Sequence, residues 1–260
     1  MIIDFINSIG TQTLQVCNNW GLYGQFVFQS MWVMLTRKLK IQKLIDQMAN
    51  IGVDSFVISV LTGIFAGAVL TLQTYNAFVK FGSENMIGPV VAISLTRELG
   101  PVLTGLMVTG RSGSGIAAEI GTMRITEQID ALETLCINPF QYLMIPRILA
   151  GVLILPFLTI FSMFFGIWGG YVIYVYWFGL NPIDFIDGIK KFLELSDIRG
   201  GLIKSSVFGF ILTTVGSFRG YYTRGGAKGV GISTTQSVVI SSILILISNY
   251  FLALMLFEKS

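Results

Sequence analysis

The chain has no histidine and only two cysteines, Cys17 and Cys136, in 260 residues. Without histidine, the Ser-His and Cys-His arrangements that activate a nucleophile are excluded. The two cysteines lack ligand-like spacing, which argues against a zinc, haem or iron–sulfur site and against a structural disulfide. Charge is scarce as well, at 12% of residues. Lys and Arg are scattered and the net charge is only +3, so there is no basic stripe of the kind that binds nucleic acid. The first cation is Arg37, and Asp4 precedes it, so the start lacks the basic n-region of a cleaved signal peptide and is expected to be retained.

What is abundant is apolar surface: 53% of residues are hydrophobic and the mean hydropathy is +0.74. That is too apolar for a soluble domain. Twenty Phe and 29 Gly with only six Pro suit a bundle of helices in lipid better than a barrel of alternating strands. The expected fold class is an all-α integral membrane protein. Runs of roughly 20 apolar residues, enough to cross the hydrocarbon core, predict five transmembrane helices, at 51–75, 87–120, 148–178, 201–218 and 232–257. With no internal repeat, a single domain over 1–260 is expected, made of an N-terminal segment 1–50 and a bundle 51–257.

The N-terminal segment carries Trp20, Tyr23, Phe26, Phe28 and Trp32, followed by Arg37, Lys38, Lys40 and Lys43. It reads as an interfacial amphipathic helix with its basic end among headgroups. A sixth span is the competing reading, disfavoured because Gln25, Gln29 and Ser30 interrupt a short apolar run. With those four cations, Arg124, Arg147, Arg219, Arg224 and Lys228 fall on one side of the membrane; Lys80, Lys190, Lys191, Arg199 and Lys259 fall on the other. The imbalance predicts a cytoplasmic N-terminus and an outward C-terminus. Residues 180–199, with Asp184, Asp187, Glu194 and Asp197, read as a non-cytoplasmic helical elbow, in the main a solvated connector.

The most informative stretch is LTRELGPVLTGLMVTGRSGSGIAAEIGTMRITEQIDALETLCINPFQYLMIPR, residues 95–147. Its loop portion predicts a short cytoplasmic helix with Thr126 as N-cap, Glu127 in the first turn and Asn138-Pro139 as a stop. Ile125, Ile129, Leu132 and Cys136 form one apolar stripe, while Glu127, Asp130 and Glu133 lie on other faces, so the helix can dock on a partner or lie on the membrane. This stretch, with Pro139 and Pro146-Arg147, resembles the signature of the MlaE/YrbE permease family, and the likeness extends over essentially the whole chain. The resemblance implies a homodimeric ABC-transporter permease for phospholipids moving between inner and outer membranes. It also implies a cytoplasmic ABC ATPase and an MCE-domain lipid-binding protein as partners, and a coupling helix at 119–135 in which Glu119, Arg124, Glu127, Asp130 and Glu133 face the ATPase. No cofactor of its own is expected, ATP and magnesium being held by the ATPase. The membrane is then a bacterial cell inner membrane, or a plastid inner envelope. Cys136 departs from the family's expected glycine, which leaves the end of that helix open, since a non-glycine there makes a left-handed helix end costlier.

Two glycine patterns are read against phosphate binding. Gly113-Ser114-Gly115-Ile116-Ala117-Ala118 follows a span rather than a strand, and the run from Gly225 to Gly231 lacks the Gly-Lys-Ser/Thr that grips a nucleotide. The expectation is a transport subunit and not an enzyme. Gly63 and Gly67 form a small-xxx-small face on the first span, either a seam with another span or a dimer seam, with Gly110 and Gly113 as further packing positions. Leu70, Leu72, Gln73, Tyr75 and Phe78 are expected to line a cavity for acyl chains. Arg97 and Glu98, inside the second span, are expected to line or gate the lipid route or to pair with another span; being about 100° apart on the helix, each needs its own partner. The alternatives are a stand-alone secondary transporter or channel with Glu98 as its ion site, and a membrane enzyme using Glu119 and Asp130 as acid and base.

Overall fold

The computed structural model describes residues 2–37 and 39–257; Lys38 and Lys259, counted above among the cations, lie outside them. The described chain is helical throughout its regular structure, with no strand among the described residues. Five helices are long and apolar enough to cross a membrane: Ile41–Phe81, Glu84–Ile125, Phe140–Trp177, Leu195–Tyr221 and Gly226–Leu256. Each begins before a span expected from hydropathy and covers it to within one residue. The first begins at Ile41 and not at the apolar run from Ile51, because hydropathy marks only the part that lipid must surround. A helix carries on into water with Gln42, Lys43, Asp46 and Gln47 on its surface.

The N-terminal segment forms one continuous helix, Ile2–Thr36. Phe26 is buried in the main core against Phe140, Phe218 and Tyr221, and Tyr23 hydrogen-bonds Thr214 at 2.9 Å. Trp32 and Phe28 stack on each other on the exposed side. That core continues through Val108, Ile120, Met144, Leu155, Phe208 and Leu212. A second core, at the other end of the bundle, gathers Ile87, Val91, Leu95, Tyr174 and Phe185.

Glycine sets the distance between spans one and three. A Cβ on Gly63 would stand 2.3 Å from the Ser162 carbonyl oxygen, and one on Gly67 only 1.8 Å from that of Gly166. The small-residue face of span one is thus a seam with span three of the same chain, and Gly166, Gly169 and Gly170 supply the facing side. Gly110 meets nothing within 4 Å, so it packs against no neighbour within the chain; Gly113 meets Thr109 at 3.6 Å, an ordinary contact. The glycine run after span four makes a tight turn: Gly225 and Gly226 have φ of +90° and +65°, and Gly229 lies hard against the Arg224 carbonyl.

The elbow is a helix, Pro182–Phe192, capped by Asn181, whose side-chain oxygen accepts from the Ile183 N–H at 3.1 Å. It is anchored at Phe185, which is buried and whose backbone lies against Gly88, while Asp184, Asp187, Lys190 and Lys191 stay exposed. Span four then opens with a capping box between Glu194 and Asp197.

Candidate functional site

The second span, Glu84–Ile125, is interrupted by two π-helical segments, Leu95–Leu99 and Thr109–Gly113. Such bulges recur where a helix serves a site rather than packing alone. The first contains Arg97 and Glu98. Pro101 has no N–H to give the Arg97 carbonyl four residues back, so that oxygen is left without its α-helical donor. Lys204 of span four fills it, with Nζ 3.1 Å from the Arg97 oxygen and 2.6 Å from Glu98 Oε1. Asn249 of span five donates to Glu98 Oε2 at 2.9 Å. Arg97 turns the other way, its Nε donating to Asp197 Oδ1 at 2.7 Å. Asp197 also accepts from the Glu194 N–H through Oδ2, so one carboxylate both caps span four and holds Arg97.

The two adjacent charges do find separate partners, as their angular separation requires. Lys204 and Asp197 are fully buried, whereas Arg97 and Glu98 keep 32% and 40% of their side chains exposed. The network is thus sealed on the span-four side and open on the span-two side. Asp197, Lys204 and Asn249 were missed by the sequence reading. For Lys204 the signal was present, since a lysine within a span must find an acid; for Asp197 it was not, because Glu194 is not among the usual N-cap residues.

The other expected cavity residues divide between faces. Leu70, Tyr75 and Phe78 pack on the second core, with Tyr75 stacked on Phe178 at 3.6 Å, while Leu72 is half-buried and Gln73 exposed. A polar face lies nearer the other end of span two, where Arg111 Nη2 meets Asp54 Oδ2 at 3.1 Å with both side chains about half exposed. Around them, Gln47, Asn50, Ser112 and Gly115 line a cleft of about 330 Å³. Arg111 lies roughly 20 Å along the helix from the end of span two, at 1.5 Å per residue.

The expected coupling helix at 119–135 is two elements. Span two ends at Ile125, Glu127 takes φ +58°, and a separate helix occupies Gln128–Thr134. Thr126 is not its N-cap, since its hydroxyl donates back to the Thr122 carbonyl at 2.8 Å and finishes the preceding helix. Nor is Glu127 in the first turn; it occupies the left-handed corner before it. Ile129 is fully buried and Ile125 and Leu132 half-buried, so the stripe faces the bundle up to Leu132, while Cys136 at its end is exposed. Arg124 pairs with Asp130 at 2.6 Å, and Glu119 with the buried Arg147 at 2.6 Å. Glu127, Glu133 and Leu135 remain outward, Leu135 being 70% exposed.

Cys136 adopts φ +58° despite its side chain. The Ile137 N–H bonds the Leu132 carbonyl and the Cys136 N–H that of Glu133, which is the Schellman pattern of a helix end. Cys136→Gly is therefore expected to stabilise this corner by about 1 kcal/mol. Slower amide exchange at Ile137 is the measurement; unchanged exchange would show the corner unstrained.

Five long apolar spans, with ion pairs joining the second to the fourth, define a multi-pass membrane protein. The chain matches the family model "Permease MlaE" over residues 44–255. It is 43% identical over 258 residues to a probable ABC transporter permease protein of Rickettsia typhi, covering 99% of this chain and 100% of that one. It is 37% identical over 262 residues to the intermembrane phospholipid transport system permease protein MlaE of Haemophilus influenzae, covering 99% of each. Similarity reaches the chloroplastic protein trigalactosyldiacylglycerol 1 of Arabidopsis thaliana, at 37% over 225 residues, 86% of this chain and 64% of that one. The chain belongs to the MlaE permease family, and the apolar spans and bacterial relatives make it a multi-pass protein of the cell inner membrane.

Proposed function

We propose that this chain is the permease subunit of an ATP-driven transporter that moves phospholipids between the inner and outer membranes. Its full-length likeness to the Haemophilus phospholipid permease supports the cargo. Two copies would face each other across a lipid-holding cavity. The observation that carries this is the Arg111–Asp54 pair: ionised side chains half exposed along a span are costly in lipid and require protein or water opposite them. A second copy supplies that cover. Leu72 and Gln73 would face the acyl chains, Leu70, Tyr75 and Phe78 would fix that part of span one on the second core, and the exposed portions of Arg97 and Glu98 would meet a headgroup.

Energy enters from a separate ABC ATPase, which binds the nucleotide and magnesium, through the helix Gln128–Thr134. Its outward residues Glu127, Glu133 and Leu135 are the contact, with Asp130 and Arg124 bracing it and Glu119 securing its base through Arg147. An MCE-domain protein exchanges lipid with the pair. Co-purification tests the contact. Leu135→Asp is expected to reduce capture of the ATPase at least about ten-fold, as when an apolar anchor is lost from an interface. Undiminished capture with an intact fold would place the contact elsewhere.

A further inference from the structure

The N-terminal helix does not close fully on the bundle. Between it and spans four and five lies a cleft of about 240 Å³, lined by Asn19, Trp20, Tyr23, Phe218, Arg219 and Leu244 among others. Tyr23 fixes one edge through its hydrogen bond to Thr214 and its edge-on contact with Phe218. Arg219 sits two residues before the end of span four, at the same end of the bundle as the helix Gln128–Thr134. Its Nε is buried and has no hydrogen-bond partner among the described residues, and its guanidinium lies 5.7 Å from the Phe218 ring centre. Among the described residues no acidic side chain lines the cleft, and apart from Arg219, Asn19 and the Tyr23 hydroxyl its walls are apolar, with Val215, Ile240 and Leu244 on the side of spans four and five.

A buried guanidinium donor without an acceptor is costly. Set beside an apolar trough and an amphipathic Trp, it has one chemistry on the membrane side that satisfies it: a phosphodiester above and a hydrocarbon chain below. We infer that this cleft is a second lipid site, separate from the cavity between copies, which holds an anionic phospholipid of the adjoining leaflet with its phosphate on Arg219 and an acyl chain along Val215, Ile240 and Leu244. The bound lipid would tie the N-terminal helix to span four. Net charge selects the occupant: a zwitterionic headgroup brings its own cation to the guanidinium, and an anionic one does not.

Trp20 reports on the site directly. In the full chain, replacing the exposed Trp32, Trp168 and Trp177 by Phe leaves Trp20 as the sole indole, to be read in vesicles containing brominated phosphatidylglycerol or brominated phosphatidylcholine. The anionic lipid is expected to quench Trp20 with roughly five- to ten-fold higher apparent affinity, the value of one charge-assisted contact. Arg219→Gln should abolish that preference and Arg219→Lys should keep part of it. Equal quenching by the two lipids would overturn the inference without any Arg219 variant, so a folding failure of Arg219→Gln cannot rescue it. Persistent preference in a folded Arg219→Gln protein would also overturn it. Millimolar inorganic phosphate erasing the preference would assign the site to a soluble anion instead.

Discussion

Lys204→Met is expected to destabilise the bundle by about 3 kcal/mol, at the low end for a broken buried pair because 40% of the Glu98 side chain is exposed. Methionine fills the space of the lysine stem, so packing loss is small. What goes is the ammonium paired with Glu98 and a donor to the Arg97 carbonyl freed by Pro101. Thermal unfolding of the detergent-solubilised chain measures the loss. The double variant Glu98→Gln with Lys204→Met should recover most of it, because a neutral pair of similar volume removes the stranded charge. Lipid movement should stay below about a tenth of normal if the exposed portion of Glu98 meets cargo, a tenfold deficit corresponding to about 1.4 kcal/mol. Recovery of both stability and transport would reduce the pair to a brace.

Gly67→Leu is the second large effect. The new Cβ would fall 1.8 Å from the Gly166 carbonyl oxygen, a backbone atom that cannot rotate away. Spans one and three must then separate along the seam that Gly63, Gly169 and Gly170 share. Overpacking against side chains costs about 1–3 kcal/mol; against backbone the cost should exceed that range and show as loss of monodisperse protein. Gly21→Ala is the control, since a Cβ there meets nothing within 4 Å. It should be neutral or slightly stabilising, as alanine lowers the entropy lost on helix formation. Equal behaviour of the two variants would refute the close-packed seam.

Much of the fold was legible because lipid imposes one strong rule: runs such as 232–257 have no other stable home. The small-residue face at Gly63 and Gly67 was equally plain, but a pattern of small residues does not say which helix approaches, and the answer was span three of the same chain. Arg97 and Glu98 stood out as costly charges, yet their partners lie about 100 and 106 residues away, at Asp197 and Lys204, beyond any local pattern. The short helix was found from its apolar stripe, while its start was misplaced. A left-handed Glu127 and a Thr126 that bonds backwards leave no residue-type signature, because the corner is set by how Ile129 and Leu132 dock. Cys136 shows the converse: the left-handed helix end persists without its usual glycine.

In the proposed function the apolar helices supply a passage and another polypeptide supplies the energy. The direct measurement is transfer of a fluorescent phospholipid from vesicles holding the purified chain, with and without its ATPase and with ATP or a non-hydrolysable analogue. Transfer above the protein-free rate only when the ATPase and hydrolysable ATP are both present is the predicted result. Equal transfer by the chain alone would contradict it.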